Sequence, residues 1–145
     1  MEKLKFNILI NASSEKVWKT LWEDETYRQW TTAFSEESSA HTDWKKGSKI
    51  LFLDGKGQGM VSRVAENIPN EYMSIEHLGF VKDGVEDLTS EEVKAWAGAH
   101  ENYRLKNING ATEVAIDMDI TDEYKEMFTE MWPKALTNLK SLAEQ

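Results

Sequence analysis

His77 is the side chain in this sequence best suited to chemistry, because an imidazole can bind a ligand or transfer a proton near neutral pH. It falls in phase with Met73 and Ile75 in a stretch that alternates like a β-strand, so one face of a sheet should carry all three. The alternative is a histidine held by hydrogen bonds at the edge of a cavity, since one titratable group without an evident partner is weak evidence for a site. The sequence leaves both interpretations open.

We expect no metal site. His41 and His100 lie in different predicted strands from His77, and the three form no spaced set of zinc ligands. An acidic run near the C-terminus lacks the turn glycine and the terminal glutamate of a calcium loop. We interpret this run as solvated surface and helix-start charge: Asp117, Asp119, Asp122 and Glu123.

No pattern in the chain predicts a catalytic residue or a cofactor site. Cysteine is absent, which excludes a thiol nucleophile, and there is no G-x-S-x-G motif that would expose a serine. The glycine-rich segment 54–59, DGKGQG, does not end in the Gly-Lys-Ser/Thr sequence of a phosphate-binding loop. No predicted helix follows it whose N-terminus could bind phosphate. We interpret it as a flexible hairpin loop.

A set of mostly aromatic and sulfur-containing side chains is predicted to line an apolar pocket, if the last helix packs across a sheet. Any one of these residues, taken alone, is more typical of an ordinary core. The candidate ligand-binding residues are Trp30, Phe34, His77, Tyr103, Met118, Phe128, Met131 and Trp132.

The last stretch, 122–145, carries apolar residues at three- and four-residue intervals and predicts one long amphipathic helix. Such a helix needs a large apolar surface opposite it, and the preceding residues have mainly the pattern of strands. Pro133 falls inside the helix, where it removes the hydrogen bond to the Thr129 carbonyl and predicts a bend.

The N-terminal third predicts a strand followed by two short helices. Residues 4–10 alternate with the period of a strand. Ser13 is placed to cap a helix over 14–22, and Asp24 is a candidate cap for a further turn or two through Trp30.

The middle of the chain predicts strands separated by turns, near 39–44, 48–53, 59–66 and 71–79. Asn109-Gly110 predicts a hairpin between strands 100–108 and 112–120. The segment 81–98 breaks this pattern and is interpreted as an excursion from the sheet. Within it, Thr89 and Glu92 form a capping box that would open a short helix through Trp96.

Length and charge restrict the class of protein. A chain of 145 residues with 40% hydrophobic content fits a single domain over 1–145. The 26 acidic and 17 basic side chains give a net charge of -9, which opposes binding to nucleic acid or to an anionic membrane. The opening residues show no signal peptide and no stretch approaches the roughly 20 apolar residues of a membrane span, so we expect a cytoplasmic protein.

Three runs in this order resemble one family. The segment 11–22 (NASSEKVWKTLW) with Trp30, the segment 59–72 (GMVSRVAENIPNEY) and the segment 131–142 (MWPKALTNLKSL) are similar to the activator-of-Hsp90-ATPase-like (AHSA1-like) branch of the START-like, or SRPBCC, superfamily. The segment 81–98 departs from the commonest pattern of this family.

The resemblance implies an α+β helix-grip fold. In such a fold an antiparallel sheet of about six or seven strands wraps round a long C-terminal helix, two short helices follow the first strand, and a cavity lies between sheet and helix.

Three functions follow as hypotheses. The first is a binding module for a small apolar or amphipathic ligand, and it is the one we prefer. The second, implied by the resemblance, is a protein-interaction module with a chaperone partner. The third is an enzyme of the cyclase/dehydrase type that uses His77 or Tyr103 as acid or base. The chain is expected to be a monomer or a homodimer.

Overall fold

A computed structural model describes all 145 residues as an α+β fold with one eight-stranded antiparallel sheet and a long C-terminal helix. The strands are β1 (Glu2–Ile10), β2 (Ser39–His41), β3 (Lys49–Leu53), β4 (Gly59–Ile68), β5 (Tyr72–Lys82), β6 (Val85–Asp87), β7 (His100–Ile108) and β8 (Ala111–Ile120). The helices are α1 (Ser14–Trp22), α2 (Asp24–Trp30), α3 (Glu91–Lys94) and α4 (Asp122–Ala143), with a 3-10 turn at Thr31–Ala33. The sheet therefore has one or two strands more than the sequence predicted.

The strands lie in the order β1-β8-β7-β5-β4-β3-β2. The strand β6 pairs with the far end of β5, along the edge that β7 leaves free after Glu76. The N-terminal strand is thus joined to the C-terminal hairpin through nine aligned residue pairs, from Glu2 with Ile120 to Ile10 with Thr112.

The hairpin between β7 and β8 turns at Asn109-Gly110, as the sequence predicted. Both residues have positive φ, 52° and 91°, which a two-residue turn of type I′ requires. The turn fixes the register in which Tyr103 faces Ile116 and Glu101 faces Met118. The inward residues of the two strands consequently lie side by side.

The C-terminal helix α4 packs on the sheet through one face, and its buried residues join a single core cluster with Val114, Ile116 and Met118 of β8. The predicted packing is confirmed. Ala135 and Leu139 are fully buried in this interface. Pro133 lies within the helix, and the bend expected there stays a prediction.

The helix α1 is capped as predicted, because the Ser13 hydroxyl accepts a hydrogen bond from the Lys16 backbone N–H at 3.1 Å. The expected cap at Asp24 was wrong. Glu23 occupies the N-cap position of α2 without a side-chain bond, and Asp24 lies in the first turn, where it pairs with Arg28.

The segment 81–98 is less detached than the sequence indicated. Its first residues extend β5 and turn back as β6, and α3 follows. The cap of α3 is Ser90 rather than Thr89, because the Asp87 carboxylate accepts hydrogen bonds from the backbone N–H groups of both residues and so places Ser90 at the helix start. The helix ends at Lys94, before Trp96.

No helix in the structure combines the length and the apolar character that crossing a membrane requires.

Leu21→Ala tests the packing of α1. Leu21 is fully buried in the core cluster, so its truncation should cost about 2 to 5 kcal/mol of unfolding free energy. Urea denaturation measures this loss. Leu9→Ala is the matched control, since Leu9 is 52% exposed and should lose well under about 1 kcal/mol. Equal losses in the two variants would contradict the placement of Leu21 in the core.

Gly79→Ala tests the attachment of β6. A Cβ at Gly79 would lie 2.2 Å from the Asp87 carbonyl oxygen and 2.6 Å from a methyl group of Leu88. We expect a loss of about 1 to 3 kcal/mol and faster amide exchange in β6. The added Leu88→Ala change should not restore stability, because the backbone clash persists. Unchanged exchange in β6 would show that the strand is not held against Gly79.

Candidate functional site

A cavity of about 320 Å³ lies between the first half of α4, the α2 region and the inner face of β5, β7 and β8. Of its 22 lining residues, 16 are hydrophobic, so the wall is apolar with a few polar groups. Seven of the eight residues predicted for such a pocket contribute to the wall: Trp30, Phe34, His77, Tyr103, Met118, Phe128 and Trp132.

Met131 is the exception, and it does not line the cavity. Met131 lies one helical turn after Met127 and falls on the same side of α4 as Tyr124 and Phe128, so helical spacing does not explain why it is outside the wall. The sequence also missed Tyr124 and Met127, which do line the cavity. The apolar stripe of α4 is broad, so its spacing alone did not distinguish cavity wall from helix flank.

Trp132 is the centre of the aromatic part of the wall. Between ring centroids, Trp132 lies 5.0 Å from Phe34, 6.0 Å from Trp30 and 6.1 Å from Tyr103. The ring of Phe6 stacks on Trp132 at a centroid distance of 6.0 Å. These separations are typical of favourable aromatic pairs. The rings hold α4, α2, β1 and β7 together around one end of the cavity.

A β-bulge places Phe80 in the wall. Leu78 has no partner on β4, because Gly79 pairs with Val61 and His77 pairs with Ser62. The inward positions of β5 therefore change from odd to even numbers after His77. Phe80 then packs edge-to-face on Trp96, at 4.8 Å between ring centroids. The segment 81–98 thus contributes to the site.

His77 has the partners that the sequence did not reveal. Its Nδ1 lies 2.7 Å from the Ser62 hydroxyl oxygen, and its Nε2 lies 3.1 Å from Glu101 Oε1. The other carboxylate oxygen of Glu101 accepts a hydrogen bond from the Tyr103 hydroxyl. The histidine therefore lines the cavity and is held by hydrogen bonds, as the alternative interpretation of the sequence expected. Ligand binding or proton transfer by His77 stays a prediction.

Glu101 could have been found by strand periodicity, because it lies two residues before the inward-facing Tyr103. Ser62 could not, since its alignment with His77 depends on the bulge in β5.

Burial raises the pKa of the Tyr103 hydroxyl well above its ordinary value, and the charge of Glu101 raises it further. Burial and the same carboxylate also raise the pKa of Tyr27 far above its ordinary value, while a hydrogen bond with Ser38 opposes the shift. Both phenols are consequently neutral hydrogen-bond donors at physiological pH.

Three buried polar groups of wall residues have no hydrogen-bond partner: the indole N–H groups of Trp96 and Trp132 and the hydroxyl of Thr121. Buried polar groups are usually paired. Three of the five groups of this kind in the structure thus belong to residues of the cavity wall.

The other two histidines are engaged elsewhere. His41 lies 3.1 Å from the Ser39 hydroxyl, and His100 Nδ1 lies 2.8 Å from the Gly98 carbonyl oxygen. The structure holds no group of three or more His, Asp or Glu side chains arranged to bind a metal ion.

Solved structures with the same fold cover nearly the whole chain. The solution structure of the Aha1 dimer from Colwellia psychrerythraea is 23% identical over 99% of this chain and 97% of its own, with a TM-score of 0.71. A crystal structure of a protein from Mesorhizobium loti is 13% identical over 97% and 96%, with a TM-score of 0.75. DynU16, a protein in the dynemicin biosynthetic locus, is 14% identical over 100% of this chain but 48% of its own, with a TM-score of 0.72.

These likenesses identify the helix-grip fold. No curated protein matches the sequence. The sequence pattern described as Activator of Hsp90 ATPase homolog 1-like protein matches residues 11–144, which is nearly the whole chain. The chain therefore belongs to the AHSA1-like family of helix-grip proteins.

Proposed function

We propose that this protein binds a small apolar or amphipathic molecule in the cavity between the sheet and α4. The observation that carries the proposal is the cavity itself, with a volume of about 320 Å³ and a predominantly hydrophobic wall. Ligand pockets in proteins typically have volumes of about 300 to 1,000 Å³ and an apolar wall with a few polar groups. The volume of this cavity lies at the small end of that range, so its ligand would be small.

The polar groups of the wall support binding more than catalysis. Tyr103 has a raised pKa, so it is a weak proton donor near neutral pH, and its hydroxyl already donates to Glu101. His77 is bonded at both ring nitrogens. A general acid or base needs a free position toward the substrate. We therefore prefer a carrier or sensor of a small molecule to a cyclase or dehydrase.

A chaperone-directed function is the alternative that the family description suggests. One fold can serve many functions, so membership of the family does not by itself assign this role. The experiment below separates the two proposals, because an interaction module does not need an open cavity.

Met118→Trp tests whether the cavity is usable space. Met118 is 5% exposed and lines the cavity, so a larger side chain should enter that space with little loss of stability. The matched control is Met73→Trp, because Met73 is fully buried and does not line the cavity. Overpacking at Met73 should cost about 1 to 3 kcal/mol or more. Urea denaturation of both variants measures the difference.

The same variants test ligand binding with Nile red, a neutral apolar dye whose own emission rises in apolar surroundings. Wild type should bind the dye, and Met118→Trp should abolish binding because the indole fills the site. Strong destabilisation by Met118→Trp, together with no dye bound by wild type, would overturn the proposal and favour the interaction module.

A further inference from the structure

We propose that the cavity selects ligands with an ammonium group, which is held against the Glu101 carboxylate among aromatic rings, and that it discriminates against carboxylates. This inference rests on the ligand-binding function proposed above and names the chemical class of ligand for that site.

The charge of the wall favours a cationic ligand. None of the residues that line the cavity is Lys or Arg, whereas two are carboxylates, Glu101 and Asp119. His77 is the only wall side chain that can become positive, and Glu101 already contacts it. The other cationic group on a wall residue is the α-ammonium of Met1, which is 65% exposed and whose charge acts on the Glu2 and Asp122 carboxylates. Away from this exposed terminus, the wall offers no uncompensated positive charge to an anionic ligand, whether His77 is neutral or protonated. A carboxylate entering this space would lose its hydration without gaining a cationic partner.

The placement of Glu101 also favours a cationic ligand. Its side chain is 19% exposed, so most of it is withdrawn from solvent, and it lies on the inner face of β7 opposite Met118. Ser62, His77, Glu101 and Tyr103 form a chain of hydrogen bonds, the polar chain. With a neutral imidazole, the hydrogen bonds of His77 are both made when the Ser62 hydroxyl donates to Nδ1 and Nε2–H donates to Glu101. In that state the one formal charge of the polar chain is on Glu101.

The Glu101 carboxylate also has unused capacity to accept hydrogen bonds. A carboxylate offers about four lone-pair positions, and Glu101 uses two of them, for His77 and Tyr103. An ammonium group carries up to three N–H donors and the opposite charge, so it is the head group that best matches the remaining positions.

Aromatic rings line the same cavity as the Glu101 carboxylate. Phe52 lies 6.0 Å from the His77 ring, Tyr27 lies 6.3 Å from Phe52, and Trp132 lies 6.1 Å from Tyr103, measured between centroids. All of these residues line the cavity. Aromatic faces attract cations, most strongly where water is excluded. The rings therefore favour an ammonium group and also accommodate the apolar body of the ligand.

Asp119 contributes less, because it is already partnered. Its Oδ2 accepts a hydrogen bond from the His100 backbone N–H at 3.0 Å, and its Oδ1 lies 3.5 Å from the Lys3 ammonium group. Glu101 has no Lys or Arg partner among the ion pairs of the structure, so it is the stronger anchor for a cationic ligand.

The test uses three ligands of similar size with different head groups: 2-naphthylmethylamine, 2-naphthylmethanol and 2-naphthoate. Isothermal titration calorimetry at neutral pH gives their affinities for the wild-type protein. We expect the amine to bind at least about tenfold more tightly than the alcohol, which corresponds to about 1.4 kcal/mol, and the carboxylate to bind most weakly. This ranking needs no variant and so does not depend on the folding of one.

Glu101→Gln then removes the charge while keeping the size and the acceptor oxygen. The amine should fall to the affinity of the alcohol, and the alcohol should be nearly unaffected. Glu113→Gln is the matched control, because it makes the same change of net charge on β8 outside the cavity wall and should leave the ranking intact.

Binding of the carboxylate as tightly as the amine would overturn the inference, as would a preference for the amine that survives Glu101→Gln. If the amine and the alcohol bind equally, the cavity still binds ligands and only the ammonium preference is lost. If none of the three ligands binds, both the inference and the proposed function are wrong.

Discussion

The packing of Trp132 against the sheet is the contact on which the rest of this structure depends. The indole of α4 touches rings from β1, β7, α2 and the turn after it, so one side chain connects elements that are far apart in the sequence. The same aromatic contacts that fix α4 in place also border the cavity beside it.

A second constraint is that the polar and charged groups in the apolar wall of the cavity need hydrogen-bond partners. A buried carboxylate without partners would cost several kcal/mol, and Glu101 avoids most of this cost through His77 and Tyr103. The hydrogen bond from Ser62 completes the chain by orienting the histidine. The polar chain is thus a fixed structural unit, and Glu101 belongs to the wall of the cavity.

Much of this arrangement could be predicted from the sequence, because the determining signals were local. The Asn109-Gly110 turn, the Ser13 cap and the periodicity of α4 each depend on a few neighbouring residues. What could not be predicted depends on alignment between strands. The unpaired Leu78 of β5 brings Ser62 opposite His77 and turns Phe80 inward, and no local pattern indicates that offset.

The bulge at Leu78 also divides β5 into two parts, one that contributes to the core and one that contributes to the cavity wall. Before it, β5 contributes Met73 and Ile75 to the core cluster, where substitutions disturb folding. After it, Phe80 of β5 lines the cavity and packs on Trp96, which follows the short helix α3. No residue of 81–98 belongs to the core cluster. Trp96 is the one residue of this segment that lines the cavity, so a change in its size should reshape the cavity and leave the packing between the sheet and α4 intact.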